Sequence, residues 1–242
     1  MDEKKIGFLD HLEELRRRIL ISILLVLTFS IVGFIFAGRI IDAIITIGKL
    51  DATYFFAPIE AFTAQFKIAL FFGFTVAFPF LLYQVWAFIG PGLTGTEQKI
   101  SLTFILSGVI LFMIGIAFGY FIIIPYGLMF LFSFTSDNVQ PLMNISKYLN
   151  FFVWCMLGTG ILFQLPLIVF SLIKLGIVDA KTISRHRAEA IVGIMILCAV
   201  ITPTGDFFTL LLISIPLVLL FEIGILAARL TTRKKNIKAH DH

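Results

Sequence analysis

The sequence predicts an all-α, polytopic membrane protein with six transmembrane helices, on three observations. Hydrophobic residues make up 59% of the chain and charged residues 14%, and the mean hydropathy is +1.03. A soluble domain carries about 25% charged residues, so no soluble core would bury this much apolar surface. Six apolar runs account for the excess, and most basic residues lie on one side of them. We expect a single transmembrane domain over residues 1–242.

Each span is placed by the length of its apolar run. A helix needs about 20 apolar residues to cross about 30 Å of hydrocarbon. The first four runs meet this length, whereas the last two are expected to be short and to form a hairpin. The sixth is expected to be short because Glu222 interrupts its apolar run. The predicted spans are residues 19–37, 65–89, 100–124, 148–173, 188–201 and 207–228.

The basic residues predict the orientation of the chain, because the loops that stay in the cytoplasm are enriched in Lys and Arg. Arg39, Lys49 and Lys147 lie on one side of the spans. Fifteen others lie on the opposite side: Lys4, Lys5, Arg16, Arg17, Arg18, Lys99, Lys174, Lys181, Arg185, Arg187, Arg229, Arg233, Lys234, Lys235 and Lys238. Both termini are therefore expected in the cytoplasm, in a multi-pass inner-membrane protein without a signal peptide. This asymmetry explains the net charge of +4 without a nucleic-acid partner.

A short charged helix, Phe8 to Arg18, precedes the first span. Asp10 is predicted to cap it, with Glu13 as the capping-box partner three residues later. Glu13 and Glu14 each precede an arginine by four residues, which is the spacing of a helical ion pair. A helical wheel places both glutamates equally far from the apolar stripe, so periodicity does not choose between them.

Two further polar residues are candidates for function, each with a structural alternative. Glu97 follows Thr94 by three residues in the loop between the second and third spans, so it either completes a capping box or faces a groove. Gln164 lies deep in the fourth span, where a polar group suggests function by default. Its structural alternative is a hydrogen bond to another helix.

The segments between spans carry local signals. Arg39 to Leu50 is predicted to be an interfacial helix and Asp51 to Pro58 to be extended. The third helix is expected to continue past a kink at Pro125. Asn144-Ile-Ser146 matches a glycosylation sequon, but Ser146 as a helix N-cap is the preferred interpretation. In the last external loop, T-P-T-G-D, Asp206 is predicted to cap the sixth helix.

The sequence offers no catalytic constellation. It contains no phosphate-binding loop, no H-E-x-x-H motif and no G-x-S-x-G motif, and its four histidines all lie in segments predicted to be cytoplasmic. We therefore expect no enzyme, cofactor or metal. A secondary transporter of a small solute remains an alternative, although it needs a polar path to which the spans contribute chiefly Gln164. A membrane-embedded hydrolase is a weaker alternative, because the spans contain no nucleophile with a base.

Several motifs in order resemble those of one family. The opening F-L-D-H-L-E-E-L-R-R-R-I resembles the N-terminal signature of TatC, the receptor subunit of the twin-arginine protein translocase. Y-Q-V-W-A-F-I-G-P-G-L-T-G-T-E resembles the first cytoplasmic loop of that family. F-Q-L-P resembles its fourth span and T-P-T-G-D its last external loop. The resemblance covers the whole chain.

The resemblance implies a receptor for the paired arginines in the signal peptides of folded precursors. It implies that Glu14 rather than Glu13 is the N-terminal recognition acid, and that Glu97 is a second one. The other positions that match the family are Phe88 beside Glu97, the basic residues Arg16 and Arg18, and Asp206 in the external loop. Many relatives carry glutamate where this chain has Gln164, so only a polar role survives there.

The resemblance also implies partners. These are twin-arginine signal peptides and the single-span TatA- and TatB-type proteins, with which the receptor nucleates a translocation site driven by the proton-motive force. It further implies a homo-oligomer within the receptor complex. Two carboxylates near the membrane surface suit this task, because the forked guanidinium of arginine pairs with carboxylates better than lysine does.

Overall fold

The chain is almost entirely helical in its computed structural model, which describes residues 2–48, 53–89, 101–135, 142–174, 177–202 and 206–240. The first helices are α1 (Asp2–Ile47), α2 (Pro58–Ile89), α3 (Ser101–Phe118) and α4 (Ile124–Phe132). The later ones are α5 (Ile145–Leu162), α6 (Leu165–Lys174), α7 (Ala180–Arg185), α8 (Arg187–Ile201) and α9 (Phe207–His240). Two short strands, β1 (Thr53–Tyr54) and β2 (Met143–Asn144), pair in parallel.

Helix α1 is a single helix of 46 residues, which corrects two predictions. Asp10 does not cap a helix, because it lies well inside one. The segment from Arg39 to Ile47 continues α1 and does not form a separate interfacial helix. The physical reason is that residues 2–47 contain no proline, so nothing in the backbone forces the helix to stop at the edges of the apolar run.

Small residues allow α1 and α2 to pack closely as an antiparallel pair. A Cβ atom added at Gly73 would lie 2.6 Å from the backbone nitrogen of Ser30 and 2.7 Å from the carbonyl oxygen of Val26. A Cβ atom added at Gly33 would lie 2.8 Å from the ring of Phe72. All three distances are shorter than real Cβ contacts allow, so glycine at these two positions lets the helices approach closely.

The chain divides into two compact units, residues 1–109 with 143–150, and residues 110–142 with 151–242. In the first unit, β2 and the start of α5 pack against the α1–α2 pair. The hydroxyl of Tyr148 donates a hydrogen bond to the carbonyl oxygen of Ile44 (3.0 Å). Asn144 donates to Glu60 (3.0 Å) through its amide nitrogen.

In the second unit, the third predicted span continues past Pro125, as expected. It does so through a π-helical turn, Gly119–Ile123, that joins α3 to α4. The N–H of Ile124 bonds to the carbonyl of Gly119, five residues earlier. Proline has no N–H and its ring clashes with the carbonyl four residues before it. The wider turn just before Pro125 accommodates the proline within a continuous helix.

The fourth predicted span is interrupted between α5 and α6, where Phe163 and Gln164 separate the two helices. Pro166 lies one residue into α6 and cannot continue the hydrogen-bond ladder of α5. A Cβ atom added at Gly224 in α9 would lie 2.9 Å from the backbone of Pro166. Helix α9 therefore packs directly against this break.

Five helical segments in the described residues are long and apolar enough to cross a membrane. They match the first four predicted spans and the sixth. Helix α8 has only 15 residues, as expected for a short fifth span. The prediction that the sixth is also short is wrong, because its candidate span has 23 residues and ends at Arg229. Glu222 does not interrupt it, since an arginine of α8 pairs with this carboxylate.

Candidate functional site

The candidate site lies where the N-terminal part of α1 meets the C-terminal end of α2. Arg18 donates two hydrogen bonds to Oε1 of Glu14, from Nη2 at 2.6 Å and from Nε at 3.0 Å. Its remaining nitrogen, Nη1, donates to Oε1 of Gln84 on α2 at 3.1 Å. Arg18 thus links a carboxylate on one helix to an amide on the other.

The structure separates the two glutamates that the helical wheel left equivalent. Glu13 is exposed, whereas the Glu14 side chain retains only 35% of its exposure and the Arg18 side chain 23%. The difference arises because Glu14 lies on the side of α1 that faces α2. A half-buried carboxylate is screened less by water than an exposed one, so its bonds to a guanidinium are stronger.

Aromatic side chains lie one turn from this ion pair. The rings of His11 on α1 and Phe88 on α2 stack with centroids 4.3 Å apart and an interplanar angle of 16°. On the same end of α2, the ring of Trp86 lies 4.4 Å from that of Phe104 near the start of α3. The helices on both sides of residues 90–100 therefore meet at this end of the first unit.

The site residues predicted from the sequence fall into three groups. The structure brings Glu14, Arg18 and Phe88 to one end of the α1–α2 pair, and Arg16 is exposed on the same stretch of α1. Glu97 lies outside the described residues. Gln164 and Asp206 belong to the second unit, where each has its own surroundings.

Gln164 is buried, with 7% of its surface exposed, at the break between α5 and α6. Its Nε2 lies 3.5 Å from the carbonyl oxygen of Gly160, which is a weak hydrogen bond. The backbone carbonyl oxygen of Gln164 accepts a hydrogen bond from the backbone N–H of Ile168 at 3.0 Å. A functional role for this side chain stays a prediction, as does a hydrogen bond to another helix.

Two of the predicted helix caps concern α5 and α9, and one of these two predictions is confirmed. Oδ1 of Asp206 accepts a hydrogen bond from the N–H of Thr209 at 2.6 Å, as expected for the N-cap of α9. The prediction for α5 is wrong, because Ser146 lies inside that helix. Oδ1 of Asn144 accepts the N–H of Lys147 at 2.9 Å instead, so the cap lies two residues earlier.

A second carboxylate–guanidinium pair joins α8 to α9. Nη2 of Arg187 lies 3.2 Å from Oε2 of Glu222. Close by along α9, Arg229 donates a hydrogen bond to the hydroxyl of Ser184 on α7. Glu222 is therefore a paired acid, and its partner lies on another helix.

Sequence reasoning missed three side chains that the structure makes prominent. His11 and Gln84 escaped because only their contacts with Phe88 and Arg18 distinguish them. Lys67 had a visible signal, since it is a lysine inside the second apolar run and is absent from the orientation count. Its Nζ lies 3.3 Å from Oδ1 of Asn150 on α5, and a charged group within a membrane span is costly unless it is paired or reaches water.

The described residues contain no group of three His, Cys, Asp or Glu side chains that would hold a metal ion. The α1–α2 site holds an ion pair. A carboxylate accepts a forked guanidinium, beside a pair of stacked rings.

Fold and site together define a polytopic helical membrane protein with a guanidinium-binding carboxylate at one end of its first helix pair. The family model of the Sec-independent protein translocase protein (TatC) matches residues 10–216. The chain is 36% identical over 246 residues to the TatC protein of Koribacter versatilis, with 98% of this chain and 90% of that one covered. It is 34% identical over 232 residues to that of Aquifex aeolicus, with 93% and 96% covered.

A solved structure agrees with these sequence comparisons. The crystal structure of a twin-arginine translocase receptor, TatC, superposes with a TM-score of 0.80 at 33% identity, covering 92% of this chain and 99% of that one. The chain belongs to the TatC family. It is a receptor component of the Sec-independent protein translocase and not an enzyme.

Proposed function

We propose that this chain binds the paired arginines of signal peptides at the end of the α1–α2 pair, with Glu14 as a recognition acid. The observation that carries the proposal is that Glu14 already binds a guanidinium. Its Oε1 accepts two N–H groups of Arg18 at 2.6 and 3.0 Å. The carboxylate is therefore accessible to, and oriented for, the group that distinguishes these peptides.

Physical chemistry favours arginine over lysine at such a site. A guanidinium presents several N–H donors in a fixed plane, so it forms two bonds to a carboxylate without losing much further freedom. An ammonium acts as a compact point charge and is more strongly hydrated. A half-buried carboxylate therefore binds a guanidinium more strongly than an ammonium, because bidentate charge-assisted hydrogen bonds are the strong ones.

Glu97 is proposed as the second recognition acid. It belongs to the segment 90–100 between α2 and α3, and the contact of Trp86 with Phe104 brings these helices together at the end that holds Glu14. Phe88, stacked on His11, provides an apolar surface beside the acids. Arg16 and Arg18 complete the set of residues that we assign to the signal-peptide site.

The wider arrangement belongs to the same proposal. We place the α1–α2 site at the cytoplasmic face, with both termini in the cytoplasm and α8 as the short fifth of six spans in one transmembrane domain of the inner membrane. The asymmetry of basic residues across the spans supports this orientation. Partners of the TatA and TatB type, a homo-oligomeric receptor complex and transport driven by the proton-motive force complete the proposal.

The test is site-specific photocrosslinking to a twin-arginine signal peptide. A photoreactive residue at position 14, 88 or 97 is expected to crosslink to the peptide, and position 164 to report on partner helices. Position 13 is the matched control, because Glu13 is exposed one residue away. Equal crosslinking from positions 13 and 14 would contradict the assignment of the recognition acid.

Substitution tests the two acids directly. Glu14→Ala and Glu97→Ala are each expected to weaken crosslinking to the peptide while the protein remains folded, and the double variant is expected to lose it. Undiminished crosslinking in the double variant would overturn the site assignment. Thermal unfolding of each variant in detergent verifies that the fold is intact.

A further inference from the structure

The recognition acid of the proposed site is occupied in the isolated chain by a group of the same chemistry as its ligand. Both hydrogen bonds from Arg18 fall on one oxygen of Glu14, Oε1. A peptide arginine that pairs with both oxygens of this carboxylate, as a forked guanidinium does, needs Oε1 and must displace the guanidinium of Arg18 from it. The two cannot donate the same pair of bonds to one oxygen together.

We propose that Arg18 is an internal competitor for the arginine site, which it holds in the absence of peptide and releases on binding. This inference rests on the proposed function and refines it. The resemblance groups Arg18 with residues that bind the peptide, whereas its contacts give it the position of the peptide arginine itself. A signal peptide must therefore bind strongly enough to displace Arg18 from Glu14.

The geometry provides for release as well as for occupation. Glu14 and Arg18 are one helical turn apart, and part of each side chain is exposed. Because the side chains keep 35% and 23% of their exposure, the pair is only partly shielded from water, and a second guanidinium can replace the first. Gln84 accepts a separate bond from Nη1 at 3.1 Å, so a displaced Arg18 keeps an acceptor on α2.

Competition makes a prediction that an orienting role does not. If Arg18 held Glu14 in a productive position, its removal would weaken peptide binding. If Arg18 competes, its removal tightens binding. Because the cost of displacing Arg18 is the same for every ligand, a peptide with paired lysines gains by the same factor as one with paired arginines.

The experiment measures the affinity of the purified full-length protein in detergent for fluorescent signal peptides carrying paired arginines or paired lysines. Arg18→Gln is compared with Arg17→Gln, which removes the same charge from an exposed position one residue away. We expect Arg18→Gln to bind both peptides about three- to fivefold more tightly than Arg17→Gln, which corresponds to a partly exposed pair. Arg18→Lys, which keeps the charge but loses the fork, is expected to show a smaller gain.

Two outcomes separate this inference from the proposed function. If Glu14→Gln leaves the affinity for the arginine peptide unchanged, the proposed site itself is wrong. If Glu14→Gln weakens binding but Arg18→Gln binds no more tightly than Arg17→Gln, the site stands and the competitor is overturned. In the Glu14→Gln background the Arg18→Gln gain must vanish, since Arg18 acts through that carboxylate. If Arg18→Gln does not fold, Arg18→Lys is measured instead: tighter peptide binding than in Arg17→Gln supports the competitor, and binding that is no tighter overturns it.

Discussion

Among the described residues, each of the two compact units contains one carboxylate–guanidinium pair, and the pairs differ in what they connect. Glu14 and Arg18 are four residues apart on α1, with Gln84 of α2 as a third member. Glu222 and Arg187 lie on different helices, α9 and α8. The first pair is a local contact at the end of a helix pair, and the second is a link between helices.

This difference indicates which pair is available to a ligand. Breaking the first pair leaves α1 and α2 in contact, because their backbones also approach closely at Ser30, Gly33 and Gly73. Breaking the second removes a direct link between α8 and α9. A recognition carboxylate is best placed in the first setting, where exchanging one guanidinium for another does not require helices to move.

The strongest test of this comparison is to neutralise each acid and measure peptide affinity. Glu14→Gln is expected to weaken binding of a twin-arginine peptide about 10- to 100-fold, because hydrogen bonds to charged groups contribute about 1.5–3 kcal/mol each. Glu222→Gln is the matched control and is expected to bind normally. Fluorescence anisotropy with purified protein measures both. Equal losses in the two variants would abolish the distinction between the pairs.

The next test concerns the close packing of α1 against α2. Gly73→Ala is expected to lower the free energy of unfolding by about 1–3 kcal/mol, because the added methyl group overlaps the backbone of α1. Gly38→Ala is the control, since a Cβ atom at that position meets nothing within 4 Å. Unfolding in detergent compares the two. A Gly73→Ala protein as stable as Gly38→Ala would mean that α1 does not approach α2 this closely.

A smaller effect is expected at the start of α5. Asn144→Ala removes the cap on the Lys147 N–H and the bond to Glu60, and is expected to cost about 1 kcal/mol. Ser146→Ala is the control, because Ser146 lies inside the helix. The same unfolding measurement applies. A larger loss of stability in Ser146→Ala than in Asn144→Ala would support Ser146 as the cap, as the sequence predicted.

The smallest effect is expected for the link between α8 and α9. A double-mutant cycle with Glu222→Gln and Arg187→Gln should give a coupling free energy of unfolding of about 0.5–1 kcal/mol, since both side chains are partly exposed. Four unfolding curves determine it. A coupling free energy near zero would show that the pair does not stabilise the contact between α8 and α9.

Most of the helices could be predicted because length and hydropathy decide them. Five of the six predicted spans coincide with long apolar helices, and α8 is as short as expected. The cap at Asp206 was also predictable, because a short polar side chain before an apolar run has few other roles.

The predictions from sequence were wrong where a short motif was compatible with more than one structure. Asp10 and Ser146 both resemble caps, but the helices begin earlier at both places. Glu222 resembles the end of an apolar span until Arg187 is found beside it. In each case the decisive partner or boundary lies outside the motif, so a short pattern does not contain the information.

By itself, the sequence determined the class of protein, the positions of the five long apolar helices among the described residues and the family to which the chain belongs, because each depends on composition or on contiguous residues. The tertiary structure decided how the surroundings of Glu13 and Glu14 differ. These neighbours have the same chemistry and the same relation to the apolar stripe, and only the position of α2 leaves one exposed and the other half-buried beside Arg18 and Gln84. That difference depends on contacts between residues far apart in the chain, and a helical wheel does not contain them.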